Sequence, residues 1–173
     1  MKNTTYITGK LSIIIFSLFF FYEAFPQTFK EEVVTMDETT DTKDVLFVRA
    51  HEWFALTFRS ANDVIQMADK NAGKLIGKGY VTVPMPNYGI LSFTLIVECR
   101  DGRYKYTVQD VIHRYTDTRK VWGGDILSER SPAVPLNLLR SQWRKVRESS
   151  ELAMNALILD LKNAMKKPVN DDW

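Results

Sequence analysis

Side chains able to perform acid–base, nucleophilic or metal chemistry are few in this sequence, and they are far apart. His51 and His113 are the only histidines, and Cys99 is the only cysteine. A zinc site takes three or four such ligands at short, characteristic spacings, which these residues do not provide. His51 is followed directly by Glu52, but no second histidine completes a metalloprotease helix. We therefore expect no metal site.

A glycine-rich stretch, Gly73 to Gly79, has some of the residues of a nucleotide-binding loop. A phosphate loop needs four residues between its glycines and a Ser or Thr after its lysine, and neither condition is met around Lys78. A dinucleotide fingerprint would need a third glycine and a following helix. The G-x-S-x-G signature of a serine nucleophile is also absent. The sequence predicts no cofactor and no catalytic residue.

Two candidate sites remain. Asp110 and His113, with the aperiodic stretch 116–135 that follows, would suit a small-ligand binder or an enzyme. A structural role for Asp110 at a sheet rim is the other interpretation.

The second candidate is a basic stripe at helical spacing, for which an ordinary solvated face is the alternative. With an aromatic anchor from the preceding loop it would form a partner surface of four residues: Trp122, Arg140, Arg144 and Arg147.

The N-terminus has the layout of a signal peptide over residues 1–26. Lys2 and Lys10 precede an apolar run from Leu11 to Tyr22, which is shorter than the roughly 20 residues that cross a bilayer. We expect export, cleavage and no stable membrane span afterwards. The formal net charge of +2 gives no global field that would attract nucleic acid.

Periodicity beyond residue 27 predicts alternating strands and helices. A strand is predicted over 28–36, and the polar and acidic residues that follow it end the strand. A helix over 43–59 comes next, and its apolar face carries Leu46, Ala50, Trp53 and Phe54. Two strands over 64–68 and 74–83 follow. Gly77 and Gly79 lie on one face of the second strand and would let a helix approach closely.

The clearest local signal is a hairpin formed by strands 90–100 and 103–115 around Asp101 and Gly102. This pair suits a two-residue type I′ turn, which fixes the register. One face is then apolar, with the pairs Cys99–Tyr104, Val97–Tyr106, Leu95–Val108 and Leu91–Ile112, interrupted only where Phe93 meets Asp110. The other face is mixed, with the pairs Glu98–Lys105, Ile96–Thr107 and Thr94–Gln109. This pattern predicts a sheet that is buried on one side.

A final helix over 136–166 completes one domain, 28–168, before a loose tail at 169–173. The predicted fold is α+β in the order β-α-β-β-β-β-α. It has an antiparallel sheet of four or five strands with both helices on one face.

Two segments, "RAHEWFALTFRSANDVIQMADKNAGKLIGKG" and "DGRYKYTVQD", resemble the domain-of-unknown-function family 4468 (DUF4468). That family has a TATA-box-binding-protein-like (TBP-like) fold and occurs in exported bacterial envelope proteins. The resemblance covers about residues 40–110 and implies the same order of elements, but no reaction. DNA binding is not expected, because fold does not carry function and the predicted exposed face lacks the basic residues and apolar wedges of a minor-groove binder. We expect a non-catalytic envelope module that binds a protein partner or another copy of itself, through the open face of the sheet or through the long loop and the basic helix.

Overall fold

A computed structural model describes residues 26–58, 64–84, 89–115, 123–129 and 140–167. Most of the predicted signal peptide and the predicted tail lie outside these ranges. The elements are β1 (Thr28–Thr35), α1 (Lys43–Thr57), β2 (Ile65–Asp69), β3 (Lys74–Thr82), β4 (Ile90–Arg100), β5 (Arg103–Arg114), β6 (Gly123–Asp125) and α2 (Arg140–Met165).

The strands form one antiparallel sheet in the order β1-β5-β4-β3-β2. The short strand β6 pairs with the C-terminal end of β5, beyond the residues that pair with β1. This confirms the α+β class, but the sheet has six strands rather than four or five. β6 lies inside the stretch that showed no periodicity, because three residues, two of them glycine, cannot display an alternating pattern.

Both helices pack on one face of the sheet, as predicted. The buried side chains of α1 include Leu46, Ala50, Trp53 and Phe54, and those of α2 include Trp143, Met154 and Leu161. Gly77 leaves room for the Phe54 side chain of α1, since a Cβ there would lie 2.3 Å from the Phe54 ring. Cys99 is 2% exposed within this core, and burial raises the pKa of its thiol to about 12. Cys99 is therefore a packing residue.

The β4–β5 hairpin has the predicted register near its turn, but the turn is not type I′. That type needs positive φ at both central residues, and only Gly102 has it, at 67°. Tertiary contacts account for the difference. The Asp101 carboxylate accepts a hydrogen bond at 2.7 Å from the amide of Lys43 at the start of α1, and the Gly102 amide donates to the Asp41 carbonyl at 3.0 Å.

A β-bulge at Asp110 changes the register in the second half of the hairpin. Asp110 is the only non-glycine residue with positive φ among the described residues, at 56°. Beyond it, Leu91 pairs with His113 and Ser92 with Ile112, so the predicted pairing of Leu91 with Ile112 is wrong. The extra residue reverses the alternation of β5, because side chains switch faces with a one-residue shift.

Candidate interaction surface

The sheet has a second face, which lies opposite the helices. We call it the open face. Cross-strand partners share a face, so the register defines its rows of neighbouring side chains. One row runs across four strands from Met67 through Ile76 and Ile96 to Thr107. A second row places Tyr80 beside Ser92 and Ile112.

Apolar side chains are more prominent on the open face than the sequence predicted. Tyr80 is 64% exposed, Val33 57% and Met67 38%. Four isoleucines are half-buried on the same face: Ile76, Ile90, Ile96 and Ile112. Large apolar side chains grouped on an exposed surface are typical of a binding site rather than of an ordinary solvated face.

A row of paired charges crosses one end of the open face. Glu98 accepts from Lys105 at 2.9 Å and lies 3.4 Å from Lys74, and Lys105 also lies 3.9 Å from Glu31. The hydrogen bond from Lys105 is the main cause of the lowered pKa of Glu98. The same bond raises the pKa of Lys105. Both groups are therefore charged at neutral pH, and Glu98 is compensated by two lysines.

The open face also carries cations without counter-charges. Lys78, Arg100, Arg103 and Arg114 are exposed and make no ion pair with any residue that the structure describes. Three carboxylates on this face also lack a cation among the described residues, because Asp69, Asp110 and Asp125 accept only from neutral groups. Glu31 accepts from the Thr107 hydroxyl at 2.9 Å and lies 3.9 Å from Lys105. The excess charge of the open face is therefore positive but small, and its cations are concentrated at Arg100 and Arg103 beside the turn.

The structure places Asp110 and His113 on opposite sides of the sheet. The Asp110 carboxylate accepts from Thr94, whose side chain belongs to the open face. The His113 ring is fully buried on the helix side, with its centroid 4.8 Å from that of Tyr115 and 6.0 Å from that of Trp143. The two side chains do not form a joint site, and Asp110 has the structural role of forming the bulge.

The arginines predicted as a stripe have different environments. Arg144 is exposed and lies 3.9 Å from Glu148, one turn along α2. Arg147 is partly buried, and its Nε donates to the carbonyl of Ile126 at 2.8 Å. This bond fastens α2 to the segment after β6, as does the bond from Trp143 Nε1 to the Ser128 carbonyl at 2.9 Å. Arg140 is the first residue of α2, and Trp122 lies outside the described residues.

The sequence contains a signal for the apolar open face that the prediction of a mixed surface overlooked. In β3, Ile76 and Tyr80 alternate with the core positions Leu75 and Val81, so both faces of the strand carry large apolar side chains. A strand exposed to water on one side normally alternates apolar with polar residues. The outward position of Ile112 could not be found in this way, because it depends on the bulge.

The part of the chain that the structure describes bears on two further features, a cluster of metal ligands and a helix able to span a membrane. It contains no cluster of three or more His, Cys, Asp or Glu side chains that could hold a metal ion. None of its helices has the length and apolarity needed to cross a bilayer.

Comparison with known proteins agrees with the geometry. Residues 31–114 match the family model described as a domain of unknown function (DUF4468) with TBP-like fold. Residues 31–114 form a DUF4468 domain. A search of curated proteins found no match.

Two solved structures share the fold of this DUF4468 chain. One is a TBP-like protein from Parabacteroides distasonis, with a TM-score of 0.63 and 14% identity, covering 80% of this chain and 92% of the other. The second is a DUF4468 family protein from Bacteroides ovatus, with a TM-score of 0.54 and 12% identity, covering 83% and 88%. At such low identities the likeness concerns the fold alone.

Proposed function

We propose that this DUF4468 domain is a non-catalytic module that binds a protein partner through the open face of its sheet. The observation that carries the proposal is the exposure of Tyr80 and Met67 on the sheet face opposite the two described helices. An exposed aromatic side chain within an apolar area is typical of the anchors that dominate binding energy.

The charges on the open face favour a separate partner over a second copy of the chain. Two copies meeting face to face would place surfaces with an excess of the same charge against each other, including the unpaired cations Lys78, Arg100, Arg103 and Arg114. Like charges at an interface oppose association. A partner with an apolar centre and carboxylates around it would complement both the side chains and the charge.

Affinity capture from the native cell envelope, comparing variants, tests this function. We expect Tyr80→Ser to reduce capture of the partner about 30-fold, the effect of losing about 2 kcal/mol of binding energy. Lys78→Glu should also weaken capture, because it introduces repulsion against an acidic partner. The matched control is Leu152→Ser, since Leu152 is 67% exposed but lies on α2, on the helix side.

A protein that is captured equally by all variants would overturn the proposal. So would a wild-type dimer in light scattering that Tyr80→Ser converts to monomer, because self-association would then explain the open face. Circular dichroism of each variant shows whether the fold is intact, which is expected because the altered side chains are exposed.

We also propose that the domain acts outside the cytoplasm. The basic residues and apolar run at the N-terminus support this, and the predicted signal peptide, residues 1–26, would be removed on export. N-terminal sequencing of the protein recovered from the envelope should then begin at Gln27 or at one of the two residues before it. Recovery with the first residues still attached would contradict cleavage.

A further inference from the structure

A cavity of about 380 Å³ lies at the hairpin end of the sheet, and its character differs from that of the apolar part of the open face. Its walls come from the last residues of β4, the first residues of β5, Val33 of β1 and Ala72 in the turn between β2 and β3. Volumes of this size accommodate small molecules. The cavity therefore has the dimensions of a small-ligand site.

Three cations and one carboxylate line this cavity: Arg100, Arg103, Lys105 and Glu98. Both Glu98 oxygens already face lysines, one at 2.9 Å and one at 3.4 Å. The hydrogen bond with Glu98 raises the pKa of Lys105, while the nearby positive charge of Arg100 lowers it to a smaller extent. The cavity thus holds closely spaced positive charges that its own carboxylate does not neutralise.

The two arginines stand directly opposite each other as the pair next to the turn. Like charges in such a cross-strand pair destabilise the fold by repelling each other. An anion bound between the two arginines would relieve this repulsion. Arginine is also well suited to oxyanions, because its planar guanidinium donates two parallel hydrogen bonds to a carboxylate or phosphate.

The backbone that carries the pair is held in place. The Met36 amide donates to the Gly102 carbonyl at 2.7 Å, and the Gly102 amide donates to the Asp41 carbonyl at 3.0 Å. The Asp101 carboxylate is bound to the first amide of α1 at 2.7 Å. A turn fixed by three tertiary bonds presents both arginines from defined positions, which lowers the entropy cost of binding.

We propose that the cavity between Arg100 and Arg103 binds the oxyanion group of a small soluble ligand, a carboxylate or a phosphate. The guanidinium groups donate to its oxygens, while Lys105 stays paired with Glu98 at the wall of the cavity. This site goes beyond the proposed function, because it requires no protein partner and lies at one end of the open face.

NMR titration of the purified protein with inorganic phosphate, and separately with succinate, tests the site. We expect saturable shifts of the Arg100, Arg103 and Ala72 amides with at least one of the two anions, and which anion saturates identifies the class. Arg103→Gln and Arg100→Gln should each weaken binding about tenfold, the effect of losing a charge-assisted hydrogen bond.

The matched control is Lys78→Gln, which removes another exposed cation of the open face that does not line the cavity. We expect it to change the affinity less than twofold. Shifts that fail to saturate with both anions would overturn the site, as would equal weakening by Lys78→Gln and Arg103→Gln, because the attraction would then be diffuse. Tyr80→Ser should leave anion binding intact, so this test can fail without affecting the proposed partner surface.

Discussion

Asp110 determines which side chains the two faces of the sheet present, and it does so through its backbone conformation. Its left-handed φ of 56° is tolerated better by Asp than by most residues. Its amide donates to the Gln27 carbonyl at 3.1 Å, just before β1 begins. Beyond the bulge, Val111 and His113 are buried and Ile112 joins the open face.

Gly102 is a position at which the turn of the hairpin should not accept a side chain. Its φ is 67°, and an added Cβ would lie 2.5 Å from Cγ and 3.0 Å from Cα of Glu38. We expect Gly102→Val to lower the free energy of unfolding by about 1 kcal/mol or more, because a β-branched residue is strained there. Urea denaturation measures the difference.

A control for this substitution is Lys78→Val, which places the same side chain on an exposed strand position. It should change the free energy of unfolding by no more than about 0.5 kcal/mol. An unfolding midpoint for Gly102→Val equal to that of the wild type would show that the turn does not require a residue without a side chain at position 102.

Glu32 connects the edge strand β1 to both β5 and α2. It accepts from the Tyr106 hydroxyl at 2.6 Å and from Lys162 Nζ at 2.6 and 2.7 Å. The bond from Lys162 is the largest cause of the lowered pKa of Glu32, followed by the bond from Tyr106. This cluster fastens one end of the sheet to the helix layer.

The lowered pKa of Glu32 predicts a pH-dependent contribution to stability. A carboxylate whose pKa is lower in the folded state stabilises the fold fully above its unfolded pKa, near 4.5, and loses this effect as the pH falls through the folded value. Glu32→Gln should therefore be less stable than the wild type at neutral pH, and the difference should shrink on acidification below pH 4.5. Urea denaturation over a series of pH values measures it.

Glu151→Gln is the matched control, because Glu151 is exposed on α2 and makes no ion pair with the described residues. The difference in free energy of unfolding between Glu151→Gln and the wild type should change little over the same pH range. A deficit of Glu32→Gln that stays constant from neutral pH to well below 4.5 would show that its ionisation does not stabilise the fold.

The accuracy of the sequence prediction varied with the kind of signal in each element. The β4–β5 pairing near the turn was predictable, because two strands independently placed apolar residues such as Val97 and Tyr106 on the same face. The bulge was not, because Val111 and Ile112 are both apolar and either could face the core. The turn type depended on contacts with α1, which are distant in sequence.

The helices cover one sheet face, and the other face is divided into two regions. The apolar region around Tyr80 and Ile96 suits a protein surface, whereas the region around Arg100 and Arg103 suits an anion. The candidate surface was only partly predictable, because the sequence shows which residues alternate but not which face the helices cover. The predicted arginine stripe on α2 was also only partly right. The Arg147 side chain donates to the Ile126 carbonyl, and the sequence does not show that this carbonyl lies beside α2.

Photo-crosslinking in the native cell envelope tests most directly whether the open face is the binding surface. A photo-reactive phenylalanine derivative would replace Tyr80 on the open face or, in a separate variant, Leu152 on α2; both positions are more than 60% exposed. We predict a discrete adduct with one protein from position 80 and none from position 152. An adduct from position 152 alone, or none from either position, would contradict the account.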